Sequence, residues 1–184
     1  MTTSVEVKES KKSTIGLDFN RVYKEQSSIN LGEFILPKRG FEIANGWEDK
    51  GINLPKRATS KSAGYDFEAA ETVTIVPDGK VYVVPTGIKA YMKSDEFLQL
   101  ANRSSMGIKN KLYLPNGIGV IDSDYYNNPD NDGHIVYAFI NGGDTPFVIN
   151  KGDRVGQGIF MKYFLAADDN ASGSRNGGIG SSWK

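Results

Sequence analysis

The chain has 184 residues, and its 22 Lys plus Arg balance 22 Asp plus Glu, for a formal net charge of zero; that balance argues against direct nucleic-acid binding, whose footprint is strongly basic. With no cysteine and a single histidine, His134, the sequence excludes disulfides, thiolate catalysis and cysteine-ligated zinc and leaves acid–base chemistry to carboxylates, Tyr or Lys. No apolar run approaches the roughly 20 residues of a membrane helix, and the charged first 12 residues are no secretory signal, so the expectation is one soluble cytoplasmic domain with a real core and no membrane partner.

Residues 1–30 are polar and weakly patterned and read as an N-terminal extension, with one strand expected near residues 28–36. Phe41-Glu42-Ile43 reads as a strand, and the stretch from Gly46 to Gly51 as an exposed loop. From Ala63 onward the pattern is β. Ser62-Ala63-Gly64-Tyr65-Asp66-Phe67 starts a strand with one carboxylate among apolar neighbours. Val73-Thr74-Ile75-Val76 ends at the turn signal Pro77-Asp78-Gly79. A strand over 80–84 comes next, with Pro85-Thr86-Gly87 as its stop; further strands are predicted over 88–92, 97–101, 135–140 and 147–150. Short strands at this spacing, with 21 glycines for tight turns, predict an all-β antiparallel sandwich or barrel. One short helix is predicted over 105–111, with Ser104 or Ser105 as its N-cap. The organisation is then an extension over 1–30, a β domain over 31–165 and a flexible Gly-rich tail over 166–184.

Four constellations carry chemistry. Gly119-Val120-Ile121-Asp122-Ser123-Asp124-Tyr125 sets two carboxylates two residues apart after an apolar run. On a β-hairpin they share a face, with Tyr125 on the other; a solvated acidic turn is the plain alternative. Arg103-Ser104-Ser105-Met106-Gly107 combines a guanidinium, two hydroxyls and the free N–H groups of a starting helix. That combination suits an anion, and a capped helix with a surface Arg is its alternative. Lys151-Gly152-Asp153-Arg154-Val155-Gly156-Gln157 reads as a turn with a local Asp153–Arg154 salt bridge. Gln157, between Gly156 and Gly158, offers a donor and an acceptor where a ligand can approach closely. The tail Ser174-Arg175-Asn176-Gly177-Gly178-Ile179-Gly180-Ser181-Ser182 can fold over a polyphosphate or remain an unstructured end. It lacks Walker A spacing. The acidic stretch from Asp122 to Asp132 is no calcium loop, because no Glu closes it at position twelve.

These motifs, in this order over roughly residues 50–184, resemble the five motifs of the homotrimeric dUTP diphosphatases, and the Asn/Asp-rich stretch after the third is similar to enzymes of phages and prophages. The resemblance implies a distorted jelly-roll or β-barrel subunit in a strand-exchanging homotrimer, with three sites at subunit contacts. It implies hydrolysis of dUTP to dUMP and pyrophosphate with Mg2+, in the cytoplasm, the host's if the chain is phage-encoded. Asp122 would be the general base that orients water for attack on the α-phosphorus. Tyr125 would pack under the deoxyribose and exclude a 2′-hydroxyl. Asn116, Gly119 and Ile121 would lie on the hairpin that reads uracil's edge. Arg103, Ser104, Ser105, Gly107 and Gln157 would hold phosphates or the attacking water. Asp66 would support the metal or Arg side indirectly, with Asp153 and Arg154 structural. Mg2+ would be held by substrate phosphates and water rather than directly by a side chain. Arg175, Ile179, Gly180, Ser181 and Ser182 would close as a lid.

Two departures stand out: Ile179 occupies a place where the family usually has a Phe that stacks on uracil, with Trp183 four residues on, and the segment 126–133 is longer than the family's short turn. A dCTP deaminase, which shares the fold, needs a Glu where Ala138 stands, and the last Glu of the chain is Glu96. The alternative of another class is a nucleotide-binding regulator acting through a protein partner, motivated by the N-terminal extension and the 126–133 insert.

Overall fold

Ten antiparallel strands account for most of the order in the described part of the chain: β1 (Gly40–Ile43), β2 (Tyr65–Glu68), β3 (Val73–Ile75), β4 (Tyr82–Tyr91), β5 (Glu96–Asn102), β6 (Leu112–Tyr113), β7 (Gly119–Asp122), β8 (Ile135–Asn141), β9 (Phe147–Ile149) and β10 (Arg154–Lys162). The structure, a computed structural model, describes residues 39–173, 175, 177 and 178. The strand expected over 28–36 lies outside them. Two four-stranded sheets are ordered β1-β4-β8-β6 and β2-β10-β5-β7, and β3 pairs with β9 in a two-stranded sheet. The all-β, jelly-roll-like architecture expected from the turn spacing is the one observed.

The core follows from period-two patterning. In β8, Ile135, Tyr137 and Phe139 are at most 1% exposed, while Val136, Ala138 and Ile140 alternate with them on the other face. Phe67, Leu98 and Val155 from one sheet meet Val84, Ile88 and Ile135 from the other in a single cluster. Burying a side chain of that size contributes about 1.5–3 kcal/mol, so the cluster sets the spacing of the two sheets.

Three local expectations are corrected. Pro85-Thr86-Gly87 does not end a strand; β4 runs through it. The register against β8 slips between Pro85 and Ile88. Thr86 Oγ1 donates to the Ile135 carbonyl at 2.6 Å and accepts from the Ile88 N–H at 3.2 Å. Gly87 takes φ +69°. The triplet is thus a bulge whose polar groups are satisfied by its neighbours. The predicted helix is a five-residue π turn (Ser105–Lys109), closed by Asn110 N–H on the Ser105 carbonyl at 3.2 Å. Ser104 is already helical, at φ −54° and ψ −37°, and makes no capping bond, so neither serine is an N-cap. The backbone N–H groups of Met106 and Gly107 bond to the Arg103 carbonyl instead.

The sequence reading also did not assign β10 as a strand, and it read Gly156 and Gly158 as room for a ligand beside Gln157. Both are packing positions. A Cβ on Gly156 would lie 1.9 Å from Tyr137 Cε1, and one on Gly158 would lie 2.7 Å from Phe67 Cε2. β10 therefore fits between β2 and β5 as a central strand. Gly156→Ala is expected to lower the unfolding free energy by about 2–3 kcal/mol, measured by urea denaturation; an unchanged midpoint would mean that the Tyr137 ring yields at no cost.

Candidate active site

Asp122 ends β7, where it pairs across from Phe97 of β5. The expected hairpin, with Asp122 and Asp124 on one strand face, does not form. Ser123–Tyr125 makes a 3-10 turn that begins from an extended Asp122. The turn carries the Tyr125 ring inward, to 5% exposure. The two carboxylates nevertheless converge, on a guanidinium: Arg175 NH2 donates to Asp122 Oδ2 at 2.5 Å and Arg175 Nε to Asp124 Oδ1 at 2.9 Å. The hydrogen bond to Asp124 is the main reason the Arg175 pKa is pushed up from its ordinary value. Arg175 also lies over the Tyr125 ring, 5.7 Å from its centroid.

These groups open on one cavity of about 370 Å³. Its walls are Leu100 of β5, the loop at Leu114, Pro115 and Asn116, and β7 with Gly119, Ile121 and Asp122. Tyr125, Arg175 and the outward face of β8 at Val136 and Ala138 complete it. A Cβ on Gly119 would come 3.0 Å from the Leu100 side chain, so glycine keeps β7 close to β5 there.

A second group forms around Asp66 on β2, which is 9% exposed. Its Oδ2 accepts from Arg154 at 3.2 Å, its Oδ1 accepts from Gln157 Nε2 at 3.1 Å, and Arg103 Nε stands 3.5 Å from Oδ1. The register makes this arrangement: Gln157 lies opposite Asp66 on one side of β10 and opposite Ala101 on the other. Ser104 is exposed, and Ser105 and Gly107 are half-buried on the turn after Arg103. The expected Asp153–Arg154 salt bridge does not form. Asp153 Oδ2 accepts from the Asn150 backbone N–H at 2.8 Å and so closes the turn into β10, while Arg154 goes to Asp66.

Within one chain, then, the motif residues gather in two places. Asp122, Tyr125, Asn116, Gly119, Ile121 and Arg175 share the cavity; Arg103, Arg154 and Gln157 surround Asp66. Among the described residues no hydrogen bond or ion pair joins the two groups. Ile179, Gly180, Ser181, Ser182 and Trp183 lie outside the described residues.

The sequence reading marked the 126–133 segment as a departure but gave its residues no part behind Tyr125. Asn131 Nδ2 donates to the Tyr125 hydroxyl at 2.7 Å, and Asn128 Nδ2 donates to the Tyr125 carbonyl at 2.8 Å. The Lys89 ammonium, nearly buried, donates to Asn127 Oδ1 at 2.7 Å and Asp132 Oδ2 at 2.9 Å. Asp130 Oδ2 accepts from the Gly178 N–H at 3.1 Å, so the insert also touches the tail. The run of Asn and Asp over 127–132 was the available signal, because both types bond their own backbone in turns. His134 is a structural group: its Nε2 accepts from the Gly87 N–H at 2.9 Å and its ring lies 4.9 Å from that of Trp47. Burial pushes its pKa below the ordinary value.

The dUTPase family model matches residues 50–183. The deoxyuridine 5′-triphosphate nucleotidohydrolase of Lactococcus lactis subsp. lactis (strain IL1403) is 51% identical over 145 residues, which span 78% of this chain and 96% of that protein. The crystal structure of the dUTPase from Streptococcus mutans superposes with a TM-score of 0.65 at 47% identity, over 69% of this chain and 98% of that one. A mutant dUTPase from Staphylococcus aureus phage phi11, described with a structural Mg(II) ion, shares the fold at a TM-score of 0.59 and 18% identity, over 74% of this chain and 98% of that one. The chain belongs to the dUTPase family.

Because the folded state holds His134 neutral, the unfolded chain binds a proton first as pH falls. Stability is fully present above the ordinary histidine pKa of about 6.5 and is lost as pH drops below it. Thermal unfolding of wild type is therefore expected to fall in midpoint between pH 7.5 and 5. In His134→Asn that part of the pH dependence should vanish; an equal slope in both proteins would remove His134 as its source.

Proposed function

We propose that this protein hydrolyses dUTP to dUMP and pyrophosphate, with Asp122 as the general base. The observation that carries the reading is the single cavity in which the Asp122 carboxylate, the Tyr125 ring and the Arg175 guanidinium meet. The activity named for the Lactococcus relative supports it.

In this reading Asp122 takes a proton from water as the water oxygen bonds to the α-phosphorus. The bond from that phosphorus to the oxygen bridging to the β-phosphate then breaks, and pyrophosphate leaves with the bonding pair. A carboxylate is base enough because donors aimed at the phosphate oxygens stabilise the charge that builds there. Arg103, Ser104, Ser105 and Gln157 supply such donors, and the Gly107 N–H joins them only by giving up its bond to the Arg103 carbonyl. Asp66 holds Arg103 and Gln157 in place, with Arg154 and Asp153 fixing the start of β10. Arg175 exchanges its two carboxylates for phosphate oxygens, with which a guanidinium pairs equally well. The tail residues Ile179, Gly180, Ser181 and Ser182 cover the site, with Ile179 or Trp183 over uracil. Backbone groups near Asn116, Gly119 and Ile121 read the base, and the Tyr125 ring fills the space that a 2′-hydroxyl would need.

Among the described residues no three His, Asp or Glu side chains cluster as a ligand set, and both Asp66 oxygens are already engaged. A Mg2+ ion would be held by the triphosphate oxygens and water rather than by a side chain, with Asp66 supporting it indirectly, and would supply neutralisation of phosphate charge. The separation of the Asp66 and Asp122 groups within one chain supports a homotrimer whose sites combine motifs from different subunits. Cytoplasmic location follows from the same reading. The regulator alternative leans on the 126–133 insert, but the Asn128, Asn131 and Asp132 side chains turn inward to Tyr125 and Lys89, which favours the enzyme.

Assayed with Mg2+ against dUTP, dCTP, dTTP and UTP, pyrophosphate release should strongly favour dUTP, and lack of that preference would sink the substrate assignment. Asp122→Asn should lower kcat by about 10²–10⁴-fold; turnover equal to wild type would rule out Asp122 as the base. A chain cut after Asn170 should lose most of its kcat/KM for dUTP, and intact turnover would take the tail out of the mechanism.

A further inference from the structure

We infer that Asn131, held by Asn128, is a positioning residue that sets how strictly the site rejects a ribose, by locking the phenol of Tyr125. The inference rests on the dUTP reading above and assigns the 126–133 insert a part in sugar specificity.

The lock has two grips. On the side chain, the Tyr125 hydroxyl accepts from Asn131 Nδ2 at 2.7 Å and donates to the His134 carbonyl at 3.2 Å. On the main chain, the Tyr125 carbonyl accepts from Asn128 Nδ2 at 2.8 Å. The Asn131 amide cannot turn over without cost, because its Oδ1 faces two donors, Asn128 Nδ2 at 2.7 Å and the Gly133 N–H at 3.1 Å. Its nitrogen is therefore the end that meets the phenol. Asn128, 4% exposed, is fixed in turn: its Oδ1 accepts from the backbone N–H groups of Asp130 at 3.1 Å and Asn131 at 3.2 Å.

The backbone of the insert is shaped for these bonds. Asn127 and Asp132 take φ of 55° and 60°, conformations that Asn and Asp tolerate best among residues with a side chain. Gly133 takes φ +81°, and a Cβ there would come 2.7 Å from the Tyr125 carbonyl oxygen. Lys89 ties both ends of the insert to β4, through Asn127 and Asp132.

The function of this rigidity follows from steric exclusion. A ring that rejects a 2′-hydroxyl by occupying its space discriminates only as far as it resists displacement. A Tyr125 ring released from Asn131 can tilt away, and a ribonucleotide gains more from that tilt than a deoxyribonucleotide does. The insert is in this sense the backing plate of the sugar pocket.

The test compares kcat/KM for dUTP and UTP in wild type, Asn131→Ala, Tyr125→Phe and the double variant. The expected result is that Asn131→Ala lowers the dUTP-to-UTP ratio by about tenfold or more, chiefly through better use of UTP, with kcat for dUTP changed less. Tyr125→Phe removes the same bond together with the one to the His134 carbonyl and should lower the ratio at least as much, and Asn131→Ala added to it should change little more. A purely structural role would lower thermal stability and leave the ratio where it was. An unchanged ratio in folded Asn131→Ala overturns the inference. If Asn131→Ala does not fold, Tyr125→Phe, which leaves every bond within the insert intact, decides alone: an unchanged ratio there overturns it. These failures differ from failure of the dUTP reading, in which wild type itself shows no preference for dUTP.

Discussion

β10 can occupy the centre of its sheet because two of its residues have no side chain. Gly156 accepts the Tyr137 ring and Gly158 the Phe67 ring at distances that exclude a Cβ. Once β10 is seated, pairing with β2 and β5 aligns Gln157 with Asp66 on one side and Ala101 on the other. Arg154 and Arg103 then reach the same carboxylate. A buried Asp with two guanidiniums and an amide around it is held in one orientation, and it orients them in return. The donors around Asp66 are thus organised by a packing contact in the hydrophobic core.

The Asp122 side depends on a change of conformation at a strand end. Had the chain stayed extended, Tyr125 would have faced away from the carboxylates. The 3-10 turn instead buries its ring and leaves Asp122 and Asp124 outward, where one guanidinium satisfies both. Like charges this near each other need such a counter-ion or a ligand that brings one. The same guanidinium has the charge and donor geometry that suit a phosphate.

The 126–133 insert links these features. Its bonds run to Tyr125, to Lys89 on β4 and to Gly178 of the tail. Loops of this length are normally mobile because few contacts offset their conformational entropy. Here nearly every short polar side chain is committed to a backbone or side-chain partner, which makes the insert a fixed support behind Tyr125.

Strand periodicity, turn chemistry and five ordered motifs were legible in the sequence, because they depend on neighbours within a few residues. The antiparallel β class, the strands at 41–43, 73–75, 97–101 and 135–140, and membership of the dUTPase family all follow from that local information. The long-range partner that each group would find was not legible. Pro85-Thr86-Gly87 looks like a stop until β8 supplies an acceptor for Thr86. Gly156 and Gly158 look like room for a ligand until the aromatic rings that fill it are known. Arg154 was paired with its neighbour Asp153 because the two are adjacent in sequence, whereas strand register delivers it to Asp66, 88 residues away. Composition and local pattern determined the fold class and the residue types of the site; tertiary packing alone decided which of them meet, because register and close approach are set by contacts between distant segments.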